Sequence, residues 1–166
     1  MTARRPARGW LDHDQQRAWL AYIRLQLRLS YEINRQLQAD HELSLSDYDV
    51  LTALSVAPAS CLAVSTLATQ LGWERSRLSH HARRMAARGL VSLDPALADR
   101  RVTEVSLTTA GRHALEAAAP GHVDLVHDLF FDGLPAHLLA PFSEALEHIY
   151  DNVLARGTLP RPEIRS

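Results

Sequence analysis

The sequence predicts a mainly α-helical fold with a small two- to three-stranded β-sheet. Apolar residues recur every three or four positions over most of the chain, as one buried face of an α-helix requires. Residues 90–107 differ, because they hold two short runs rich in β-branched residues with a polar turn between them. With 166 residues, the chain has room for one domain of ordinary size.

Composition excludes several classes of protein. The chain is 46% hydrophobic and 22% charged, which is too apolar for an intrinsically disordered protein. It has no apolar run of about 18 residues, so no membrane partner is expected. A single cysteine, Cys61, excludes an internal disulfide and predicts a reduced, cytoplasmic protein in which Cys61 is a small buried apolar residue.

The net charge of −1 conceals a strong segregation of charge along the chain. Residues 74–101 hold seven arginines against three carboxylates, a net charge of +4. Residues 112–156 hold two arginines against seven carboxylates, a net charge of −5. This pattern predicts that the middle of the chain binds a polyanion while the acidic end faces a different partner.

The N-terminal part is predicted to be a flexible arm followed by a long helix. Residues 1–12 contain Pro6 and Gly9 and show no periodicity, so their three arginines form either a solvated tail or an additional contact with the polyanion. Residues 13–43 carry two apolar rows at helical spacing: Leu20, Ile23, Leu27 and Tyr31, and Tyr22, Leu25, Leu29 and Ile33. One small domain cannot cover both rows, so a second copy of the chain is expected to pack there.

Three short helices are predicted between residues 44 and 89. Ser46 and Asp49 have the spacing of a capping box and begin the first of these helices. Ser65 caps the second, which has two turns and ends at Gly72. The third runs from about Glu74 to Arg88.

A β-hairpin follows these helices. Residues 90–93 and 102–107 read as strands, and residues 94–101 form the arginine-tipped loop between them. A helix, a tight turn, a helix and a hairpin make a winged helix-turn-helix, assigned to residues 44–108. Such a unit suits B-DNA, because an α-helix fits the major groove, where each base pair presents its own pattern of donors and acceptors.

The third helix is the candidate recognition helix. Its inward stripe is formed by Leu78, Ala82, Met85 and Ala86. The polar residues left to face DNA are Arg75, Ser76, Arg77, Ser79, His80, His81, Arg83 and Arg84. Ser76, Arg77 and His80 lie nearest the helix start, where base contacts concentrate, whereas Arg83 and Arg84 are placed to reach phosphates.

The hairpin tip supplies a second group of candidate DNA contacts, namely Asp99, Arg100 and Arg101. A loop arginine can enter a narrow minor groove, where the negative potential is concentrated. We expect Asp99 to pair with the guanidinium of Arg101 and hold it in place. An ordinary exposed turn is the alternative.

The C-terminal part, residues 109–156, is predicted to be helical and to complete a dimerisation stem. A long helix begins at Thr108 or Thr109 and is kinked at Pro120. The last helix has an apolar stripe too broad for a surface helix, which again predicts burial between subunits. Residues 157–166 are a tail.

From Leu67 to Gly111 the sequence resembles the MarR (multiple antibiotic resistance regulator) family. The likeness is carried by LA–LG in residues 67–72, RGLV in residues 88–91, the DRR wing tip and the SLTTAG junction, and it extends over residues 14–156. The resemblance implies a homodimer with intertwined first, fifth and sixth helices and two recognition helices in successive major grooves of a near-palindromic site. It also implies that Arg101 enters the minor groove with Asp99 as its partner.

The same resemblance implies a repressor that a small, often aromatic molecule releases by binding where the stem meets the DNA-binding lobe. Tyr31, Tyr48 and His122 are the candidate lining residues, with ordinary packing as the alternative for each. No metal site is expected, because the C-terminal histidines lack ligand spacing: 122 and 127 are five positions apart and do not share a helix face. No cofactor is expected either.

Two other classes of function fit the sequence less well. An enzyme is not predicted, because the chain has no glycine-rich phosphate loop, no G-x-S-x-G elbow and no H-E-x-x-H motif. The alternative that stays open is a helical protein-binding adaptor that keeps the winged-helix fold without reading DNA. The arginines of the third helix and of the hairpin argue against it.

Overall fold

The structure, a computed structural model, describes residues 9–162 as six α-helices and a small antiparallel sheet. The helices are α1 (His13–His41), α2 (Leu45–Ser55), α3 (Val64–Leu71), α4 (Arg75–Ala87), α5 (Thr109–Val126) and α6 (Ala136–Arg156). The strands are β1 (Cys61–Ala63), β2 (Val91–Pro95) and β3 (Thr103–Leu107). The predicted fold class is confirmed. The three arginines of the predicted arm and the last four residues of the tail lie outside the described residues.

The sheet has the order β1-β3-β2, with all neighbours antiparallel. Its central strand places Val105 opposite Leu62 on one side and Leu93 on the other, and Val105 is fully buried. Cys61 pairs with Ser106 at the edge of the sheet. It is half-buried rather than buried as predicted, because an edge strand has no neighbour on its outer side.

Two predicted helix starts are wrong by one or two residues. The capping box of α2 is formed by Ser44 and Asp47, each of which accepts the backbone N–H of the other, and not by Ser46 and Asp49. Helix α3 begins one residue before Ser65 and has no side-chain cap. Its N-terminus follows directly from β1, so strand pairing, rather than a cap, sets the direction of the chain there.

Helix α5 is capped by Thr108, whose side chain accepts the backbone N–H of Gly111. The helical pattern continues through Pro120 up to Val126. The irregularity follows as a π-helical turn over His127–Phe131. The change in backbone geometry thus lies after Val126 and not at Pro120 as predicted. It is a single π-helical turn, the usual form in which π-helix occurs next to α-helix.

The hydrophobic core is formed by the winged helix-turn-helix lobe together with the C-terminal part of α1. Its fully buried large side chains are Leu37, Leu43, Val50, Leu51, Leu54, Leu67, Leu78, Met85 and Val105. In contrast, none of the 21 residues of α6 is buried in the single chain. No helix within residues 9–162 is long and apolar enough to cross a membrane.

Gly111 allows α5 to pass close to the loop that follows α4. A Cβ atom there would overlap the backbone carbonyl oxygen of Leu90 and would lie 3.0 Å from the side chain of Leu107. We therefore expect Gly111→Ala to lower the free energy of unfolding by about 1–3 kcal/mol, since the overlapping atom belongs to backbone and cannot rotate away.

The matched control is Gly133→Ala, because a Cβ at Gly133 would meet nothing within 4 Å. Urea unfolding monitored by circular dichroism measures both variants. Equal stabilities for the two would contradict the close approach of α5 to Leu90.

Candidate nucleic-acid interface

Local backbone geometry and a buried stripe fix the orientation of α4. Gly72 adopts the left-handed conformation (φ +68°) that ends α3, and the chain turns through Trp73 into α4. Leu78, Ala82 and Met85 are buried, as predicted from their spacing. Since side chains step around a helix by about 100° per residue, this stripe determines which residues face outward.

Ser76 and His80 lie at the centre of the outward face of α4. Both are exposed and sit roughly opposite the buried stripe. They occupy the first two turns of the helix, where a side chain in the major groove is closest to base edges.

One flank of α4 faces the wing. Arg75, Ser79 and Arg83 recur every four residues and line a small cavity of about 60 Å³.

 Thr103 of β3 lines the same cavity, so the flank of α4 and the wing enclose it together. A space of this size is much smaller than the cavities of about 300–1,000 Å³ that hold organic ligands.

The opposite flank of α4 carries Arg77 and Arg84, and both make contacts within the protein. The guanidinium carbon of Arg77 lies 4.2 Å from the centroid of the Trp73 ring, a cation–π arrangement. The Nη2 atom of Arg84 lies 2.9 Å from Nδ1 of His81. Both arginines remain exposed, so their outer edges are open to solvent.

The prediction that His81 faces outward is wrong. Its side chain is only 10% exposed, and its Nε2 atom lies 2.9 Å from Oδ1 of Asp47. Position 81 borders the buried stripe, and a buried polar ring is tolerated there because Asp47 and Arg84 give it partners.

Asp47 is the centre of a buried polar network at the junction of α1, α2 and α4. It accepts hydrogen bonds from Arg88 Nη1 at 2.8 Å and from the backbone N–H of Ser44 at 2.9 Å. Nη2 of Arg88 also donates to the carbonyl oxygen of Glu42 at the end of α1. Burial alone would raise the pKa of Asp47, but the bonds from His81, Ser44 and Arg88 outweigh burial and hold this pKa well below its usual range.

The wing tip is ordered by backbone hydrogen bonds. The N–H of Val102 donates to the carbonyl of Asp99 at 2.9 Å, and the N–H of Ala96 donates to the carbonyl of Val102 at 2.8 Å. Oδ1 of Asp99 accepts the backbone N–H of Arg101 at 3.0 Å, rather than pairing with its guanidinium as predicted. An Asx-type turn of this kind satisfies the carboxylate locally, and the side chains of Arg100 and Arg101 are exposed.

Of the three candidate ligand-pocket residues, the structure brings two together. The rings of Tyr48 and His122 lie 4.6 Å apart between centroids. Burial lowers the pKa of His122, and burial together with the charge of Asp49 raises the pKa of Tyr48. Tyr31 is 59% exposed, on the side of α1 roughly opposite the buried Ile33. Within residues 9–162, no group of three histidine, cysteine or carboxylate side chains is placed to hold a metal ion.

Comparison with solved structures decides the family. The MarR family transcriptional regulator Sco3205 of Streptomyces coelicolor, solved in complex with DNA, is 30% identical with a TM-score of 0.86, and the match covers 94% of this chain and 98% of that one. AbsC, a MarR family transcriptional regulator of the same organism, is also 30% identical with a TM-score of 0.82, covering 90% of this chain and 100% of that one. The chain belongs to the MarR family of transcriptional regulators.

A further solved structure supports only the fold, and two other comparisons found no match. CouR of Rhodococcus jostii RHA1, solved bound to p-coumaroyl-CoA, is 24% identical with a TM-score of 0.62, covering 76% of this chain and 86% of that one. No protein-family model and no curated protein matches the chain. Membership in the MarR family, a family of regulators, agrees with the prediction that the chain is not an enzyme.

Sequence reasoning missed three residues that shape this MarR-family surface. Asp47 and Arg88 anchor α4 at its inner side, and Trp73 supports Arg77. The signal for Asp47 was present as a second Ser-x-x-Asp spacing that begins at Ser44. Nothing in the sequence indicated that Trp73 would face an arginine one helical turn away, although the spacing of four residues permits it.

The Asp47 network predicts a specific dependence of stability on pH. Because the folded-state pKa of Asp47 is depressed, its contribution is present above about pH 4, the ordinary pKa of an aspartate, and is lost as pH falls below that value. We expect Asp47→Asn to lower the free energy of unfolding at pH 7 by about 3 kcal/mol, since it leaves Arg88 and His81 without their charged partner.

The variant should also lose stability less steeply than the wild type between about pH 5 and pH 2. Denaturant unfolding across this range measures the effect, with Asp128→Asn, an exposed aspartate on the π-helical turn, as the control. An Asp47→Asn variant with the wild-type pH profile would contradict the assigned role of the carboxylate.

Proposed function

We propose that this MarR-family chain binds double-stranded DNA as a homodimer on a near-palindromic operator and represses transcription until a small aromatic molecule releases it. The observation that carries the proposal is the common surface of α4 and the wing. Arg75 and Arg83 of α4 border the same cavity as Thr103, which begins β3 next to the wing loop. One duplex can therefore meet the helix and the hairpin together.

The two flanks of α4 and its central face take different roles in this proposal. Ser76, His80 and the edge of Arg77 read bases, because they lie on the outward side of the first two turns. Arg83 beside the wing, and Arg84 on the other flank, contact phosphates and set the register of the helix on the duplex. Counter-ion release at these arginines makes the affinity strongly dependent on salt.

The wing reaches the neighbouring minor groove through Arg101. Support comes from the ordered turn, in which the backbone N–H of Arg101 is held by Asp99 while the guanidinium stays exposed. A fixed loop presents its arginine at a lower entropic cost than a flexible loop does. Arg100, also exposed, adds positive charge beside the same groove.

Homodimerisation is supported by apolar surface that the single chain leaves uncovered. The exposed large apolar residues of α1, α5, the π-helical turn and α6 are Trp19, Leu20, Tyr22, Leu25, Leu27, Tyr31, Val123, Leu129, Phe131, Leu138, Leu139, Leu146, Ile149, Tyr150 and Val153. Monomeric proteins rarely leave so many large apolar side chains exposed on adjoining helices. A second copy that contributes the same helices would cover it and would present two copies of α4 to successive major grooves.

The effector is proposed to bind beside Tyr48 and His122. Nδ1 of His122 and Oε1 of Gln36 are buried without a hydrogen-bond partner in the described chain, which is unusual for buried polar atoms and leaves them free for a ligand. The two rings, tilted by 44° to each other, offer an aromatic ligand two π-faces to pack against. CouR, which shares the fold, was solved with the aromatic thioester p-coumaroyl-CoA.

The wing contact is tested by Arg101→Ala on a duplex selected by this protein from a random pool. Removal of a charged minor-groove contact should weaken binding by about 1–3 kcal/mol without changing the unfolding curve. The control, Arg35→Ala, removes an exposed arginine of the same charge from α1. Fluorescence anisotropy at several salt concentrations measures both variants.

Unchanged binding by Arg101→Ala would remove the wing from the mechanism. Failure of the wild type to bind any duplex at low salt would reject DNA reading altogether and favour the protein-binding adaptor.

The dimer is tested by placing a carboxylate in the exposed apolar surface. Leu27 and Ile149 are 66% and 61% exposed, and Leu27→Glu or Ile149→Glu should weaken self-association at least about ten-fold, because a charge would be buried without a partner. Val56→Glu is the control, since Val56 is 75% exposed but lies after α2, outside the proposed stem. Analytical ultracentrifugation measures the outcome, and a wild-type monomer at micromolar concentration would contradict the proposal.

A further inference from the structure

Trp73 occupies an unusual position between the two helices of the DNA-binding pair. It directly follows Gly72, and its backbone N–H donates to the carbonyl of Ala68 at 2.9 Å, which fixes the residue to the end of α3. Its side chain is 9% exposed. The guanidinium of Arg77 lies over one face of the ring, at 4.2 Å from the centroid.

The ring of Trp73 also contacts the buried ring of His81. The His81 ring meets Trp73 edge-on, with centroids 5.5 Å apart and planes at 89°. His81 in turn contacts Asp47 at 2.9 Å and Arg84 at 2.9 Å. A continuous chain of contacts thus runs from the buried carboxylate of Asp47, through His81 and Trp73, to the exposed guanidinium of Arg77.

Asp49 adds a negative charge near the same arginine. Burial raises the pKa of Asp49, while the charges of Arg77 and His81 act in the opposite direction, which places this carboxylate of α2 within electrostatic reach of both. Arg77 therefore has an aromatic support on one side and a nearby anion. A long arginine side chain held in this way has less rotamer freedom to lose when it binds.

We propose that Trp73 is a positioning residue that holds Arg77 in the orientation needed to read a guanine in the major groove. A guanidinium that packs by its face on an aromatic ring keeps its N–H edge free. That edge matches the O6 and N7 acceptors of guanine, the commonest specific contact made by arginine. This inference rests on the proposed DNA-binding function and adds to it the identity of one base pair and the residue that supports its recognition.

The experiment measures discrimination rather than affinity alone. A duplex is selected from a random pool, each of its G·C pairs is replaced in turn by A·T, and the ratio of the two dissociation constants is determined at fixed salt. For the wild type, replacing the one G·C pair that Arg77 reads should raise the dissociation constant about 10-fold or more. Trp73→Leu, which keeps an apolar side chain but lacks the aromatic face, should reduce this ratio about 3- to 10-fold.

Binding of Trp73→Leu to a random duplex and its salt dependence should stay near wild-type values, because no phosphate contact is changed. Trp73→Phe should recover part of the discrimination, since it restores an aromatic face. Loss of affinity for all duplexes in the same proportion, with an intact ratio, would show that Trp73 has a structural role only and would overturn the proposal.

Arg77→Lys tests the same inference if Trp73→Leu does not fold. It keeps the charge but loses the planar edge, so the ratio at the same G·C pair should fall. Full discrimination by Arg77→Lys would overturn the proposal even though the chain binds DNA. Absence of salt-dependent binding by the wild type would instead reject the proposed function itself.

Discussion

The orientation of the whole candidate interface depends on one buried carboxylate. Asp47 caps the start of α2, contacts His81 in the middle of α4, and binds Arg88 just after α4 ends. Arg88 also reaches the end of α1 through the carbonyl of Glu42. Three helices are thereby tied together by groups that would be costly to bury apart, so α4 has little freedom to rotate about its axis. Its rotation decides which side chains face outward.

Two surfaces of different chemistry follow from this arrangement. The lobe buries its own core and presents arginines on α4 and on the wing. In contrast, α6 buries none of its residues, and α1 exposes several large apolar residues between Trp19 and Tyr31. The segregation of charge along the sequence has the same division, with a basic middle and an acidic C-terminal part. Repulsion between an acidic stem and phosphates would also disfavour binding of DNA anywhere except at the lobe.

Local sequence patterns predicted the helices and strands well. The features that they predicted wrongly depend on contacts with residues far along the chain. The inward stripe of α4 and the end of α3 at Gly72 follow from spacing and backbone preference alone. The start of α2 does not, because residues 44–49 contain two overlapping Ser-x-x-Asp boxes, and contacts of Asp47 with residues far along the chain favour the first. His81 was placed outward for the same reason: its partner lies on another helix. Asp99 was predicted to pair with the guanidinium of Arg101, but it accepts the backbone N–H of that residue instead, because this N–H is only two residues away and competes with the guanidinium.

A crystal structure of the chain with its selected duplex would test the fixed orientation of α4 most directly. We expect each half-site to have Ser76 and His80 against base edges in the major groove and Arg101 in the adjacent minor groove, with His81 and Arg88 still bound to Asp47. A complex in which α4 has rotated about its axis, with these contacts to Asp47 broken, would contradict the account.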